Sequence, residues 1–109
     1  MTRRFILSPR AARDLDELWD YTAKRWNIGQ AEIYTRQLWQ DIEAVAARPA
    51  IGRPCPEVRA GYYRYPSGSH VLFYRRIDGG VDIVRILHER MDFAQHFQQR
   101  RSGDPIDPL

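Results

Sequence analysis

Two periodicities divide the chain. From Ser8 onward, Ala11, Ala12, Leu15, Leu18, Trp19, Thr22 and Trp26 recur at three- and four-residue steps, which makes one apolar stripe on a helix. Ser8 is a good N-cap and Pro9 suits the first helical position, so the helix is predicted to start there. Asn27-Ile28-Gly29 breaks it. A second stripe, Ala31, Tyr34, Leu38, Ile42 and Val45, predicts a helix from about Gln30 that stops by Arg48, the residue before Pro49. With so short a break, the two helices form an antiparallel hairpin.

Beyond Pro49 the period changes. The stretch PAIGRPCPEVRA (49–60) is rich in proline and reads as an ordered loop, neither helix nor strand. Tyr62–Tyr65 and His70–Arg76 read as strands around a turn at Pro66–Ser69, and Asp78-Gly79-Gly80 is a hairpin signal leading into Val81–His88. That last strand is apolar at both parities, so it is central or has something packed over each face. Alternation places Tyr63, Tyr65, Val71 and Phe73 under the helices. With the short apolar run Arg4–Leu7 in front, the order is β-α-α-β-β-β. The fold class is α+β, a helical hairpin packed on a small, mostly antiparallel sheet. Met91–Phe97 predicts a short C-terminal helix. The expected organisation is a single domain over 1–98 and a disordered tail over 99–109.

Composition narrows the function classes. No stretch approaches the roughly 20 apolar residues of a membrane span, and the N-terminus lacks the long apolar core of a signal peptide, so a cytoplasmic location is expected. Cys55 is the lone cysteine, which agrees with a reducing compartment. Charge is uneven. Residues 1–48 carry eight basic and seven acidic side chains, whereas 49–101 carry nine arginines against five acids. The second half therefore points weakly to an anionic partner.

Metal and cofactor chemistry find no support, because His70, His88, His96 and Cys55 lack ligand-like spacing and there is no glycine-rich phosphate loop. No cofactor is expected. Cleavage of RNA at its 2′-hydroxyl needs only a base, an acid and cations around the phosphate. Arg59, Arg64, Arg75, Arg85 and Arg90 offer the cations, and Glu57, His88 and Glu89 the acid–base groups. For most of these the plain alternative is a solvated strand face. Arg85 differs, since it interrupts an apolar strand and shares a face with Ile83 and Leu87 by alternation. A charge there must be paired or open onto a cleft. The same alternation lets Arg64 and Arg85 meet over the face away from the helices. Among the aromatics, Trp19, Trp26, Tyr34 and Trp39 exceed what a two-helix layer easily hides. They read either as core and edge packing or as a groove for a partner's helix.

The segments LSPRAARDLDELWDYTAKRWNIGQAEIYTRQL, RPAIGRP, RAGYYRYPSGSHVLFYRR and VDIVRILHERMD, in that order and spacing, resemble the RelE/ParE superfamily of type II toxin–antitoxin toxins, and more specifically its ParE branch. The resemblance covers residues 3 to about 97. It implies a toxin neutralised by a ParD-like antitoxin that lays a helix on the hairpin and covers the sheet. It further implies that the free toxin inhibits DNA gyrase by binding, without sequence-specific contacts to nucleic acid of its own. The contacts expected with the antitoxin are Trp19, Tyr34, Trp39, Arg64, Arg75 and Arg85, and those with the target are Arg64, Arg85, His88 and Arg90. RelE-branch relatives instead cleave mRNA on the ribosome, and Arg64, Arg85 and His88 match that runner-up. The lysine-rich loop and terminal tyrosine of that branch are missing here, however. The incomplete set favours a protein-binding inhibitor over a nuclease.

Overall fold

A computed structural model describes residues 4–91 together with Phe93 and Phe97. Strand β1 (Arg4–Leu7) leads into helices α1 (Pro9–Arg25) and α2 (Ile28–Ala47). A single 3-10 turn, Pro49–Ile51, precedes β2 (Arg53–Pro54), β3 (Tyr62–Ser67), β4 (His70–Ile77) and β5 (Gly80–His88). The sheet order is β1-β5-β4-β3-β2, antiparallel except where β1 runs parallel to β5. The predicted final helix and the 99–109 tail fall largely or wholly outside the described residues.

Local chemistry sets these boundaries. The Ser8 hydroxyl accepts from the Ala11 N–H at 3.0 Å, and Pro9 follows at the first helical position. Asn27 caps α2 by accepting from the Gln30 N–H at 2.7 Å, so the inter-helix break is shorter than the sequence pattern predicted. Trp26 ends the first helix and Asn27 starts the next. Two-residue turns, Gly68-Ser69 and Asp78-Gly79, join the last three strands, with Gly79 at φ 79°. Backbone with positive φ suits the twist of a tight hairpin.

The loop 49–60, expected to be ordered but neither helix nor strand, holds a short piece of each. It contains the 3-10 turn, and Arg53-Pro54 adds a short fifth strand against β3. Tyr74, fully buried, donates its hydroxyl to the Pro49 carbonyl at 2.6 Å and pins that turn.

Both faces of the sheet are covered. Leu18, Leu38, Ile42 and Val45 of the helices pack on Leu72, Tyr74, Val81, Ile83 and Ile86. On the opposite face, Cys55, Tyr62, Phe73, Val84, Leu87 and Phe97 form a second cluster. Apolar residues at both parities of β5 are thereby explained. Tyr63 and Tyr65 lie on the helix side as predicted, but Val71 and Phe73 do not. Antiparallel register pairs Tyr63 with Tyr74 and Tyr65 with Leu72, which sends Val71 and Phe73 to the other face.

Candidate functional site

Strand β1 ends opposite Ile83, so β5 continues to His88 without a strand neighbour on that side. The start of α1 takes over that edge. Ser8 donates its N–H to the Ile83 carbonyl at 2.9 Å and its hydroxyl to the Val84 carbonyl at 3.0 Å. Two turns into α1, Asp14 accepts from the Ile86 N–H at 2.9 Å. Backbone groups that a sheet edge would leave open are thus partnered by side chains.

The same Asp14 carboxylate holds Arg85 through Nε at 2.8 Å and NH2 at 3.2 Å. Both residues are buried. Arg10 approaches the carboxylate at 3.7 Å from one turn earlier. A buried guanidinium is tolerable when it is met by a two-point carboxylate. Here the fork is satisfied within the molecule.

This overturns the expected meeting of Arg64 and Arg85. Phe73 pairs with Arg85 and Tyr74 with Ile83, so Val84 is an extra residue, a β-bulge. The bulge parts Ile83 from the face that Arg85 and Leu87 still share. Arg64 and Arg85 both pair with Phe73, so β4 stands between them, and the Arg85 fork turns to Asp14 of α1. The cations of the runner-up nuclease set do not converge.

A groove runs beside the Asp14–Arg85 pair. It is lined by Arg10, Glu17, Leu18, Tyr21 and Trp26 of the first helix and its end, by Gln30 and Tyr34 of α2, and by Ser69, His70, Ile86, Leu87, His88 and Met91. Tyr21 and Trp26 are 66% and 63% exposed, and Met91 42%. The Arg25 guanidinium lies 4.8 Å over the Trp26 ring, leaving the aromatic held in place at the rim.

The groove floor contains a polar knot. Tyr34 Oη lies 2.7 Å from His70 Nδ1 and accepts from the Ser69 N–H at 2.8 Å. His70 meets His88 edge-on at 5.2 Å between ring centroids. The His88 Nδ1 accepts from the Arg90 N–H at 3.1 Å, which places its ring proton on Nε2. Burial, and then the neighbouring His88, push His70 down to about 4, with Asp14 opposing. Burial likewise raises Tyr34. His70 is therefore neutral at ordinary pH and unsuited to donate as an imidazolium.

Of the other residues singled out by the sequence, Trp19 is half-buried, and Trp39 meets Phe5 of β1 at a tilt, 5.7 Å between ring centroids, outside the groove. Arg75 pairs with Asp82 at 2.9 Å on the far face, and Arg90 is exposed. Sequence reasoning missed Asp14, His70, Tyr21 and Arg53. Asp14 carried a signal, because it lies three residues after Ala11 and four before Leu18, on the buried stripe itself. Among the described residues, no group of three or more His, Cys, Asp or Glu side chains could hold a metal ion, and no helix is long and apolar enough to cross a membrane.

Comparison with known proteins fits this architecture. Residues 5–93 match the family model of the ParE toxin of type II toxin–antitoxin system, parDE. The chain is 50% identical over 93 residues to Toxin ParE1 of Mycobacterium tuberculosis strain H37Rv, covering 84% of this chain and 95% of that relative. It is 47% identical over 92 residues to Toxin ParE1 of Caulobacter vibrioides, again covering 84% and 95%. A chain of the chromosomal ParDE toxin–antitoxin system from P. aeruginosa shares the fold at a TM-score of 0.68 and 16% identity, covering 77% of this chain and 92% of that one. With the two-helix hairpin, the mixed sheet and the motifs all in register, the chain belongs to the ParE toxin family of type II toxin–antitoxin systems.

Proposed function

We propose that this toxin is neutralised by a ParD-like antitoxin seated in the groove between α1, the start of α2 and the end of β5, and that the free toxin inhibits DNA gyrase by binding, without chemistry of its own. The observation that carries the second half is the Asp14–Arg85 pair. It commits the Nε–Nη2 edge of a buried arginine to a carboxylate of the same chain. Arg64 stands two strands away, across Phe73 of β4, and His70 is held neutral beside His88. A base, an acid and convergent cations are what 2′-hydroxyl attack requires, and that set is not assembled among the described residues.

The groove supports the first half. Its rim of Tyr21, Trp26 and Met91 suits the apolar face of a docked helix, in which a few aromatic anchors carry most of the binding energy. Of the helix residues expected to meet the antitoxin, Tyr34 lies in the groove, while Trp19 and Trp39 are reached only by a partner that continues across the hairpin.

Co-expression with a ParD-like antitoxin tests the reading. A stable complex is expected, and Tyr21→Ala with Trp26→Ala weakens it at least about tenfold, the scale of a lost aromatic anchor. An unchanged dissociation constant would move the antitoxin to another surface.

A further inference from the structure

The two edges of the sheet are unlike. At one, β2 is two residues long and carries Pro54, which blunts it. At the other, β1 has neither proline nor bulge and reads Arg-Phe-Ile-Leu. Its strand neighbour is β5, and Ser8 donates its N–H to the Ile83 carbonyl. Residues two apart in a strand turn their N–H and C=O groups the same way, so Arg4 and Ile6 also face β5. Phe5 and Leu7 turn theirs to the open edge, where they meet no partner among the described residues. Phe5 and Leu7 pack their side chains under the helices. Ile6 therefore points to the other face, where it is 52% exposed.

Beside this edge, Trp39 of α2 meets Phe5. Arg36 and Glu43 lie one turn before and one turn after Trp39, on the same side of the helix. Both are exposed, and neither has an ion pair among the described residues. The stripe thus runs positive, aromatic, negative. Laid antiparallel on a copy of itself, it sets each arginine toward the other's glutamate, whereas a parallel arrangement sets like charges together. A two-fold axis through the middle of β1, perpendicular to the sheet, turns both β1 and α2 antiparallel to their counterparts. Centred on Ile6, it lets Phe5 and Leu7 of one copy exchange N–H and C=O bonds with Leu7 and Phe5 of the other. Ile6 then lies against Ile6 of the second copy in the close, non-hydrogen-bonded position, which covers the exposed side chain.

We infer that the open edge of β1 pairs antiparallel with β1 of a second copy of this chain, centred on Ile6, with Arg36 and Glu43 of the two α2 helices meeting across the axis. The two sheets become one. Pro9 and the helix behind it end the ladder, so the patch is small beside the about 1,200–2,000 Å² of a stable specific interface. The dimer is accordingly weak, with a dissociation constant on the order of 10–100 μM. Neither the β1 residues nor Arg36, Trp39 and Glu43 line the Tyr21–Trp26 groove. The dimer leaves that groove open in each copy, and the inference does not depend on what occupies it.

Sedimentation velocity of the full-length toxin over about 1–500 μM, a range that brackets a weak interface, tests this. The wild type should pass from monomer to dimer. Arg36→Glu and Glu43→Arg should each weaken the dimer roughly three- to tenfold, and the double swap should restore it. Ile6→Lys, a charge of the kind that blunts sheet edges, should abolish it. The exposed α2 swaps keep the test valid if Ile6→Lys disturbs the fold. Register is read separately by mild oxidation of Ile6→Cys. Opposed Cα atoms in a non-hydrogen-bonded pair lie about 4.5 Å apart, within disulfide reach, and buried Cys55 does not compete. Ile6→Cys should form a covalent dimer, whereas Arg4→Cys, exposed on the same face but set away from its own counterpart, should not. A wild type that stays monomeric throughout overturns the inference, as does a dimer that survives Ile6→Lys and both charge reversals. A monomeric wild type whose affinity for a ParD-like antitoxin falls on Ile6→Lys gives the edge to an antitoxin strand and equally overturns it.

Discussion

Asp14 and Arg85, 71 residues apart in sequence, are joined by two hydrogen bonds inside the protein, and the same carboxylate holds the Ile86 N–H. One acidic side chain therefore ties the first helix to the end of β5 that β1 leaves without a strand neighbour on one side. Removing it by Asp14→Ala strands a buried guanidinium, which costs about 3–5 kcal/mol. Urea denaturation followed by circular dichroism should show that loss. Replacing both partners with apolar residues of similar volume should cost far less than Asp14→Ala alone. A loss of stability on Arg85→Ala would accordingly explain lost toxicity without any role in chemistry.

Acid should weaken the fold through His70. Its folded value is lowered from 6.5 to about 4, chiefly by burial. The unfolded chain thus binds the proton more readily. The stability tied to the neutral ring is fully present above about 6.5 and is lost as pH falls through 4. Denaturation midpoints measured from pH 7 to pH 4 should fall, and His70→Gln should flatten the slope over that window. A midpoint that rises on acidification contradicts the assignment.

Cys55 should be silent in the folded protein. It is fully buried, and burial, followed by Glu57, pushes its thiol up to about 11. Thiolate, not thiol, is the reactive form. A disulfide reagent at pH 8 should leave native toxin unlabelled and react at a rate that follows unfolding. Rapid stoichiometric labelling under native conditions would contradict the packing of the far face.

Gly52 marks where the 49–60 loop meets the core. A Cβ there would collide with the hydroxyl of Tyr74, the group that donates to the Pro49 carbonyl. Gly52→Ala should cost about 1–3 kcal/mol by overpacking, read as a lower urea midpoint. A neutral effect would mean that the 3-10 turn yields without disturbing Tyr74.

What the sequence revealed was local. The Ser8 cap, the stripe of α2 and the Asp78-Gly79 turn each depend on a few adjacent residues, and each stands where the pattern put it. The bulge at Val84 was not legible, because β5 is apolar at both parities and an inserted residue leaves no gap in its pattern. The grouping of Arg85 with Ile83 went with it. Asp14 was hidden by company: next to Asp16 and Glu17 it looks like a solvated acidic face. Arg53 belongs to a strand too short to show any period, so its pairing with Arg64 exists only in the folded register.

The most direct test of the account is a supercoiling assay with purified full-length toxin and DNA gyrase, run beside primer extension on mRNA from toxin-expressing cells. A toxin that binds without chemistry should block supercoiling or trap cleaved DNA, lose that effect on adding antitoxin, and leave the mRNA uncut. Undisturbed supercoiling together with cuts inside translated codons would contradict it.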